Sequence, residues 1–135
     1  MHGMKSILYL YGPTGTGKTR LMRMMETTLA EQASDGSVTR VGAEKLVDEM
    51  VSEIPIGSLD RFFAKYTEIE NLMVDNYWVL AGRPHAARML TRLFRDRQNR
   101  GKLTVVASDL PTTDNQLADI FKDAVVIKLE RSCNE

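Results

Sequence analysis

The feature that most constrains the fold of this chain is a glycine-rich motif between a short apolar run and an amphipathic segment. Residues 12–19 fit the pattern G-x-x-x-x-G-K-[S/T] at every fixed position, ending in Lys18 and Thr19. The run 6–11 before it is rich in β-forming residues and too short for a helix, whereas apolar residues recur at helical spacing from Lys18 onwards. A strand, a glycine-rich turn and a helix in this order indicate a phosphate-binding loop.

Each residue type in the motif suits contact with a phosphate chain. Glycines let successive backbone N–H groups converge on one phosphate, and the positive end of the following helix adds a favourable field. Lys18 would reach the β- and γ-phosphates, while the Thr19 hydroxyl would bind Mg²⁺. The sequence therefore predicts binding of ATP or ADP with Mg²⁺. The predicted nucleotide-binding residues are Gly12, Pro13, Thr14, Gly15, Thr16, Gly17, Lys18, Thr19 and Arg20.

The rest of the chain alternates strand and helix signals. Further short apolar runs predict strands over 37–41, 69–74, 103–107 and 124–129. Helices are predicted over 18–31, 43–52, 58–66 and 84–100, with Ser58 as an N-cap and a further short helix at a capping box formed by Thr113 and Gln116. Strands interleaved with helices indicate parallel βαβ units. We therefore expect a single α/β domain over residues 1–135, a five-stranded parallel sheet with helices on both faces.

Charge and composition narrow the class of protein. Lys plus Arg is 18 and Asp plus Glu is 18, so the formal net charge is +0 and a nucleic-acid contact would need a local basic patch. The single cysteine, Cys133, cannot form an internal disulfide, which favours a reducing compartment. No apolar run approaches the ~18–20 residues of a membrane span. We therefore expect a cytoplasmic protein with no membrane partner.

Two further strand ends carry polar side chains of the kind that a nucleotide site uses. The run 69–74 is followed by Asp75, a Walker B pattern in which the carboxylate holds Mg²⁺ through water. The next residue is Asn76, in the position where hydrolytic P-loop proteins of the additional-strand class place a second acid. Its amide can hydrogen-bond a water but cannot accept the proton. Asp109 follows the fourth strand, where that class places a sensor of the γ-phosphate. The alternative for Asn76 and for Asp109 is a plain turn residue.

Taken together, these residues resemble the AAA+ core of the DnaA replication initiator family, over about residues 6–129. The resemblance rests on the loop 12–19, on residues 72–76 with the Leu-Ala-Gly at 80–82 that follows, and on the block 101–111. It implies an ATP-dependent switch or assembly module that acts in DNA replication initiation or its regulation. It also implies nucleotide, single-stranded DNA, replication proteins and further copies of the chain as partners.

The sequence departs from the family pattern where hydrolysis is concerned. Asn76 replaces the catalytic acid, and residues 116–128 contain no arginine where the family has its arginine finger, Lys122 being the nearest cation. Such a finger is worth roughly 10³–10⁵ in rate. Few residues follow the fifth strand, so we expect no C-terminal helical lid and no sensor 2 arginine. We therefore expect weak or absent hydrolysis, with Asn76 and Asp109 as the candidate catalytic positions.

Two other functions stay open from the sequence. One is a small P-loop kinase that passes the γ-phosphate to a metabolite, although no segment is left over for its lid and acceptor pocket. The other is a non-catalytic adaptor that binds nucleotide only for stability. Bound ATP and ADP should affect self-association differently in a switch and equally in an adaptor.

Several surface features allow more than one interpretation. Six arginines fall between Arg83 and Arg100, and three of them form either a patch that follows a nucleic-acid backbone or a solvated face. The adjacent aromatic residues 77 and 78 either stack on a base or pack under the following loop. The methionines at 22, 24 and 25 are expected to fill the core. The three arginines that form either the nucleic-acid patch or the solvated face are Arg88, Arg92 and Arg95. In the family, the segment between the second strand and Walker B contacts single-stranded DNA; here it mixes Lys45, Arg61 and Lys65 with four acids, Glu44, Asp48, Glu49 and Asp60.

Overall fold

The first strand of the chain lies inside the sheet, between the last two strands in sequence. The computed structural model describes residues 7–13, 17–32, 38–109 and 125–129. The strands are paired in parallel in the order β2-β3-β4-β1-β5. They are β1 (Ile7–Tyr11), β2 (Val38–Gly42), β3 (Asn71–Asp75), β4 (Leu103–Ser108) and β5 (Val125–Lys128). The predicted five-stranded parallel sheet is confirmed, and the predicted strand ends are correct to within two residues.

Four α-helices and one 3-10 helix are found in the described residues. They are α1 (Lys18–Gln32), α2 (Ala43–Glu53), α3 (Leu59–Glu68), the 3-10 helix Tyr77–Gly82, and α4 (Pro84–Asn99). Proline suits the first position of α4 because its fixed φ is helical and its missing N–H has no helical partner there. Gly101 has φ +73°, a left-handed conformation that ends the helix. The 3-10 helix was not predicted, and the helix predicted at residues 113–116 lies outside the described residues.

The helices cover both faces of the sheet, as the alternation of strand side chains requires. On one face, Tyr9 and Val74 share a core cluster with residues of α2, α3 and α4. On the other face, Leu10 and Met73 pack with Met22 of α1. The prediction of helices on both faces is confirmed. The prediction that the methionines fill the core was wrong for Met24, which is 59% exposed. Met24 follows the buried Met22 by two residues and therefore lies on the opposite side of the helix.

A buried arginine joins α4 to the sheet and to the end of α3. Arg97 is 0% exposed, and its guanidinium donates hydrogen bonds to Thr104 Oγ1 at 2.8 Å, to the carbonyls of Tyr66 and Ile69 at 2.7 and 2.6 Å, and to the carbonyl of Leu103. Burial lowers the pKa of Arg97 to about 10. Arg97 was counted above among the surface arginines of residues 83–100. That prediction was wrong, because the side chain is buried.

Side chains also join α2 to α3. The Tyr66 hydroxyl donates to Glu49 Oε1 at 2.6 Å, and Lys65 Nζ lies 2.8 Å from Glu49 Oε2. Ser58 precedes α3 at the predicted N-cap position, but its hydroxyl bonds to the Glu53 carboxylate instead of to the helix backbone. Within the described residues no helix combines the length and apolar character needed to cross a membrane.

Candidate functional site

The glycine-rich loop begins where β1 ends, beside the end of β4. Tyr11 is paired with Ser108, and the Gly12 N–H donates to the Ser108 carbonyl at 3.3 Å. The chain leaves β1 towards β2 on one side, whereas β5 lies on the other side of β1. In open parallel sheets, ligands bind at the carboxyl ends of strands where the strand order reverses in this way. The described ends of the predicted loop, at residues 12–13 and 17–19, therefore lie at the position where such a sheet binds ligands.

The last residues of the motif form the start of α1. Gly17 has φ +91°, which favours glycine, and its carbonyl accepts the N–H of Leu21 at 2.9 Å as the helix begins. A cavity here is lined by four predicted residues, by Arg23 and by Met24. The four are Gly17, Lys18, Thr19 and Arg20. Thr14, Gly15 and Thr16 lie outside the described residues. Arg23 was not predicted, although its spacing of four residues from Thr19 places the two on one helix face.

Lys18 is held at the mouth of the loop by three oxygen atoms. Its Nζ donates to the carbonyls of Gly12 and of Pro13, the second at 3.1 Å, and lies 2.9 Å from Asp109 Oδ1. The lysine side chain is 14% exposed and that of Asp109 is 39% exposed. The structure therefore brings Asp109 of the β4 end against the lysine of the loop. A phosphate oxygen that binds Lys18 must compete with this carboxylate.

The Walker B carboxylate has an arginine as its partner. Arg40 Nη1 lies 3.1 Å from Asp75 Oδ2, and Arg40 Nε donates to Glu26 Oε1 at 2.9 Å. Hydrogen bonds to Glu26 and to Asp75 raise the pKa of Arg40 above its usual range, so the guanidinium stays charged. Neither Arg40 nor Glu26 was predicted as a site residue.

The register of the sheet explains why these three side chains meet. Arg40 is paired with Met73 across β2 and β3, so both side chains point to the same face, and Asp75 follows Met73 by two residues on that face. Met73 packs against Met22 of α1, and Glu26 lies one helical turn beyond Met22. Arg40 therefore extends along the face that α1 covers and reaches the carboxylates of both neighbouring elements.

Asn76 adopts a left-handed backbone conformation immediately after β3. Its φ is +56° and its ψ is 41°, which asparagine tolerates better than most residues. The side chain is exposed, and the Asn76 carbonyl accepts the N–H of Val79 at 3.3 Å as the 3-10 helix begins. The left-handed backbone conformation is thus one reason for an asparagine at this position. Its predicted catalytic role stays a prediction.

Thr19 and Asp75 offer the hydroxyl and carboxylate oxygens that Mg²⁺ prefers. Thr19 lies exposed in the first turn of α1, and Asp75 lies at the end of β3. The residues therefore fit the ion by donor type. By charge the fit is poorer, since Asp75 is already paired with a guanidinium and Asp109 with an ammonium group. No cluster of three His, Cys, Asp or Glu side chains suited to a metal occurs among residues 7–13, 17–32, 38–109 and 125–129.

The other residues predicted to lie on the surface differ in how exposed they are. Tyr77 is buried against Phe94, with ring centroids 5.8 Å apart, whereas Trp78 is 45% exposed. The arginines at 88, 92 and 95 are exposed and line a shallow depression along α4. Lys65 is paired with Glu49, which removes one cation from the mixed surface of α2 and α3.

A parallel sheet of this strand order, with a phosphate-loop motif after β1 and an acid at the end of β3, defines the chain as a P-loop domain of the AAA+ type. The model of the bacterial DnaA ATPase domain family matches residues 4–131. The chain belongs to this family.

Curated relatives are longer than the chain. The chromosomal replication initiator protein DnaA 1 of Chlamydia pneumoniae is 30% identical over 127 residues, which are 90% of this chain and 27% of that protein. The initiator protein DnaA of Thermotoga maritima is 28% identical over 134 residues, which are 95% of this chain and 30% of that protein. The chain thus spans less than a third of the length of these relatives.

Solved structures match the fold over nearly the whole chain. Domain III of the DnaA protein of Thermotoga maritima has a TM-score of 0.86 at 27% identity and covers 95% of this chain and 56% of that one. A DnaA initiator bound to AMPPCP and single-stranded DNA has a TM-score of 0.84 at 20% identity and covers 96% of this chain and 42% of that one. The DnaC helicase loader has a TM-score of 0.68 at 13% identity and covers 96% of this chain and 82% of that one. The last two matches support the fold alone.

Proposed function

We propose that this chain is the nucleotide-binding core of a DnaA-type switch that acts in DNA replication initiation or its regulation. It binds ATP or ADP at the loop 12–19. Thr19 and Asp75 offer the oxygen ligands that would hold Mg²⁺, although the salt bridge of Asp75 with Arg40 weakens the need for the ion there. The nucleotide state then controls its contacts with other copies of the chain, with replication proteins or with single-stranded DNA. Curated relatives named as replication initiators support this proposal.

One observation carries the proposal. The Lys18 ammonium group lies at the carboxyl edge of β1 and β4 and already holds a carboxylate oxygen of Asp109 at 2.9 Å. The ammonium group that we propose binds a nucleotide phosphate thus already pairs with an oxygen anion. The cavity at the start of α1 adds Arg20 and Arg23, two further cations for a chain of phosphates.

The same site supports nucleotide binding better than fast turnover. Asn76 cannot act as a general base, since an amide does not accept a proton from water. Asp75 and Asp109, the acids at the ends of β3 and β4, each form a salt bridge with a cation of the chain itself. We therefore propose that intrinsic hydrolysis is slow.

Isothermal titration calorimetry on nucleotide-free protein tests the binding site. We expect the protein to bind ADP and ATP, and Lys18→Ala to weaken both affinities by more than about tenfold, because the loop lysine contacts the phosphates directly. Lys45→Ala is the matched control, since Lys45 is an exposed lysine on α2. Equal affinities of Lys18→Ala and the unmodified protein would refute the proposal.

A nucleotide-stabilised adaptor is the second candidate function, and the two salt bridges of Asp75 and Asp109 favour it. Size-exclusion chromatography with ATP or ADP, with and without single-stranded DNA, separates the two functions. A switch changes its self-association or its DNA binding between ATP and ADP. An adaptor elutes in the same way with either nucleotide.

A further inference from the structure

The Walker B carboxylate is held by a guanidinium whose position is built into the sheet. Arg40 is fixed opposite Met73 by the pairing of β2 and β3, and its side chain lies between Asp75 and Glu26. Two carboxylates on one guanidinium hold it in one orientation better than a single surface ion pair would. The Arg40 side chain is 32% exposed and that of Asp75 is 24% exposed, so the pair is partly protected from solvent.

This arrangement changes the charge that a divalent cation would meet. In P-loop sites in general, the ion neutralises the charge on the phosphates, and a Walker B acid helps to hold it. Here one oxygen of Asp75 already accepts a hydrogen bond from Arg40. A divalent cation beside Asp75 would also stand near a positive guanidinium, and like charges repel.

The chain itself supplies cations for the phosphates. Lys18, Arg20 and Arg23 line the cavity at the start of α1. Arginine side chains bind phosphate oxygens through two parallel hydrogen bonds and need no metal to do so.

We propose that Arg40 supplies, at the Walker B carboxylate, the positive charge that a divalent cation supplies in other P-loop sites, so that this chain binds ADP or ATP with little dependence on Mg²⁺. This inference rests on the proposed nucleotide site. Arg40 is a positioning residue, because it acts on the site through Asp75. With the charge of Arg40 in place, the affinity for nucleotide should change little with the concentration of free Mg²⁺.

The test compares nucleotide affinity with Mg²⁺ and with EDTA in the unmodified protein and in single variants, using a fluorescent ADP analogue. In the unmodified protein the affinity should fall by less than about threefold when Mg²⁺ is removed. In Arg40→Gln, which keeps a polar side chain but removes the charge, it should fall by more than about tenfold, because Asp75 then needs another cation. Arg61→Gln, at an exposed position on α3, is the matched control and should behave as the unmodified protein does.

Two controls make the comparison decisive. Thermal unfolding should show that Arg40→Gln remains folded, because partly exposed ion pairs contribute only about 0–1 kcal/mol. Arg40→Lys keeps the charge without the planar fork, and it should restore most of the tolerance to EDTA if the charge is what matters.

The outcomes separate this inference from the proposed function. If the unmodified protein and Arg40→Gln both bind nucleotide and lose affinity equally in EDTA, the inference is overturned while the nucleotide site stands. If the unmodified protein binds no nucleotide in either buffer, the proposed function fails and the inference fails with it.

Discussion

Asp109 Oδ1 lies 2.9 Å from Lys18 Nζ, so the lysine of the phosphate loop is paired with a carboxylate from the end of a neighbouring strand. The two residues are far apart in sequence and meet because β1 and β4 are adjacent and in register at their carboxyl ends. Under the proposed function, a nucleotide phosphate that binds Lys18 competes with this carboxylate. The pair therefore sets part of the affinity of the site.

Removing the carboxylate should tighten nucleotide binding. We expect Asp109→Asn to raise the affinity for ADP by roughly 1.4- to fivefold, because a partly exposed ion pair of about 0.2–1 kcal/mol no longer competes for Lys18. Calorimetric titration measures the change. Asp96→Asn, at an exposed position on α4, is the control. A weaker affinity in Asp109→Asn would indicate that Asp109 helps to hold the ligand instead.

A carboxylate at position 76 should increase ATP hydrolysis. Asn76→Asp provides a group that can accept the proton of an attacking water, and general-base catalysis contributes about 10²–10⁴ in rate. Phosphate release over time measures this effect. Asn76→Gly is the control, because it accepts the φ of +56° and offers no base. Equal rates in the two variants would mean that the missing acid does not limit the reaction.

Arg97 should be among the residues on which stability depends most. Arg97→Met removes a buried donor from four acceptors, two of them buried and two partly buried, and we expect a loss of at least about 3 kcal/mol in the free energy of unfolding. Urea denaturation gives the value. The matched variant Arg95→Met changes an exposed neighbour and should cost no more than about 0.5 kcal/mol. Similar losses in both variants would contradict the role of Arg97.

The contact between α2 and α3 should weaken in acid. Burial raises the pKa of the Glu49 carboxyl, but hydrogen bonds from Lys65 and Tyr66 outweigh it, and the pKa lies below its usual value of 4.5. A carboxyl group whose pKa is lowered by folding stabilises the folded state above its unfolded pKa. That stabilisation is lost as the pH falls through the folded pKa.

The unfolding temperature of Glu49→Gln should therefore be lower than that of the unmodified protein at neutral pH, and the difference should shrink on acidification below pH 4.5. Thermal unfolding followed by circular dichroism over a pH series measures it. Glu44→Gln, at an exposed position on α2, should show no such dependence. A difference that is constant with pH would show that the Glu49 charge does not matter.

Local patterns were enough to predict the sheet and most of the helices. The loop motif between β1 and α1 and the apolar runs before Asp75 and Asp109 are all contained in short windows of sequence. Parallel strands bring such windows to one edge of a sheet, so their relative placement follows once the fold class is known.

The pairing of Arg40 with Asp75 could not be predicted in the same way. It depends on which residue of β2 lies opposite Met73, and a shift of one residue would turn Arg40 to the other face. The burial of Arg97 did leave a signal in the sequence. Position 97 follows Leu90, Leu93 and Phe94 at helical spacing, so it falls on the buried stripe of α4. The expectation that arginine is exposed outweighed that spacing.

The strand order also determines when the site can form as the chain is made. β1 emerges from the ribosome long before its described partners, β4 and β5, which begin at Leu103 and Val125. Contacts between residues so far apart in sequence form late and slow the folding of a domain. Until β4 is synthesised, Lys18 has no Asp109 beside it, and β1 has no neighbour in the sheet. A ribosome-bound nascent chain would therefore complete the proposed nucleotide site only after residues 103–109 have left the ribosome.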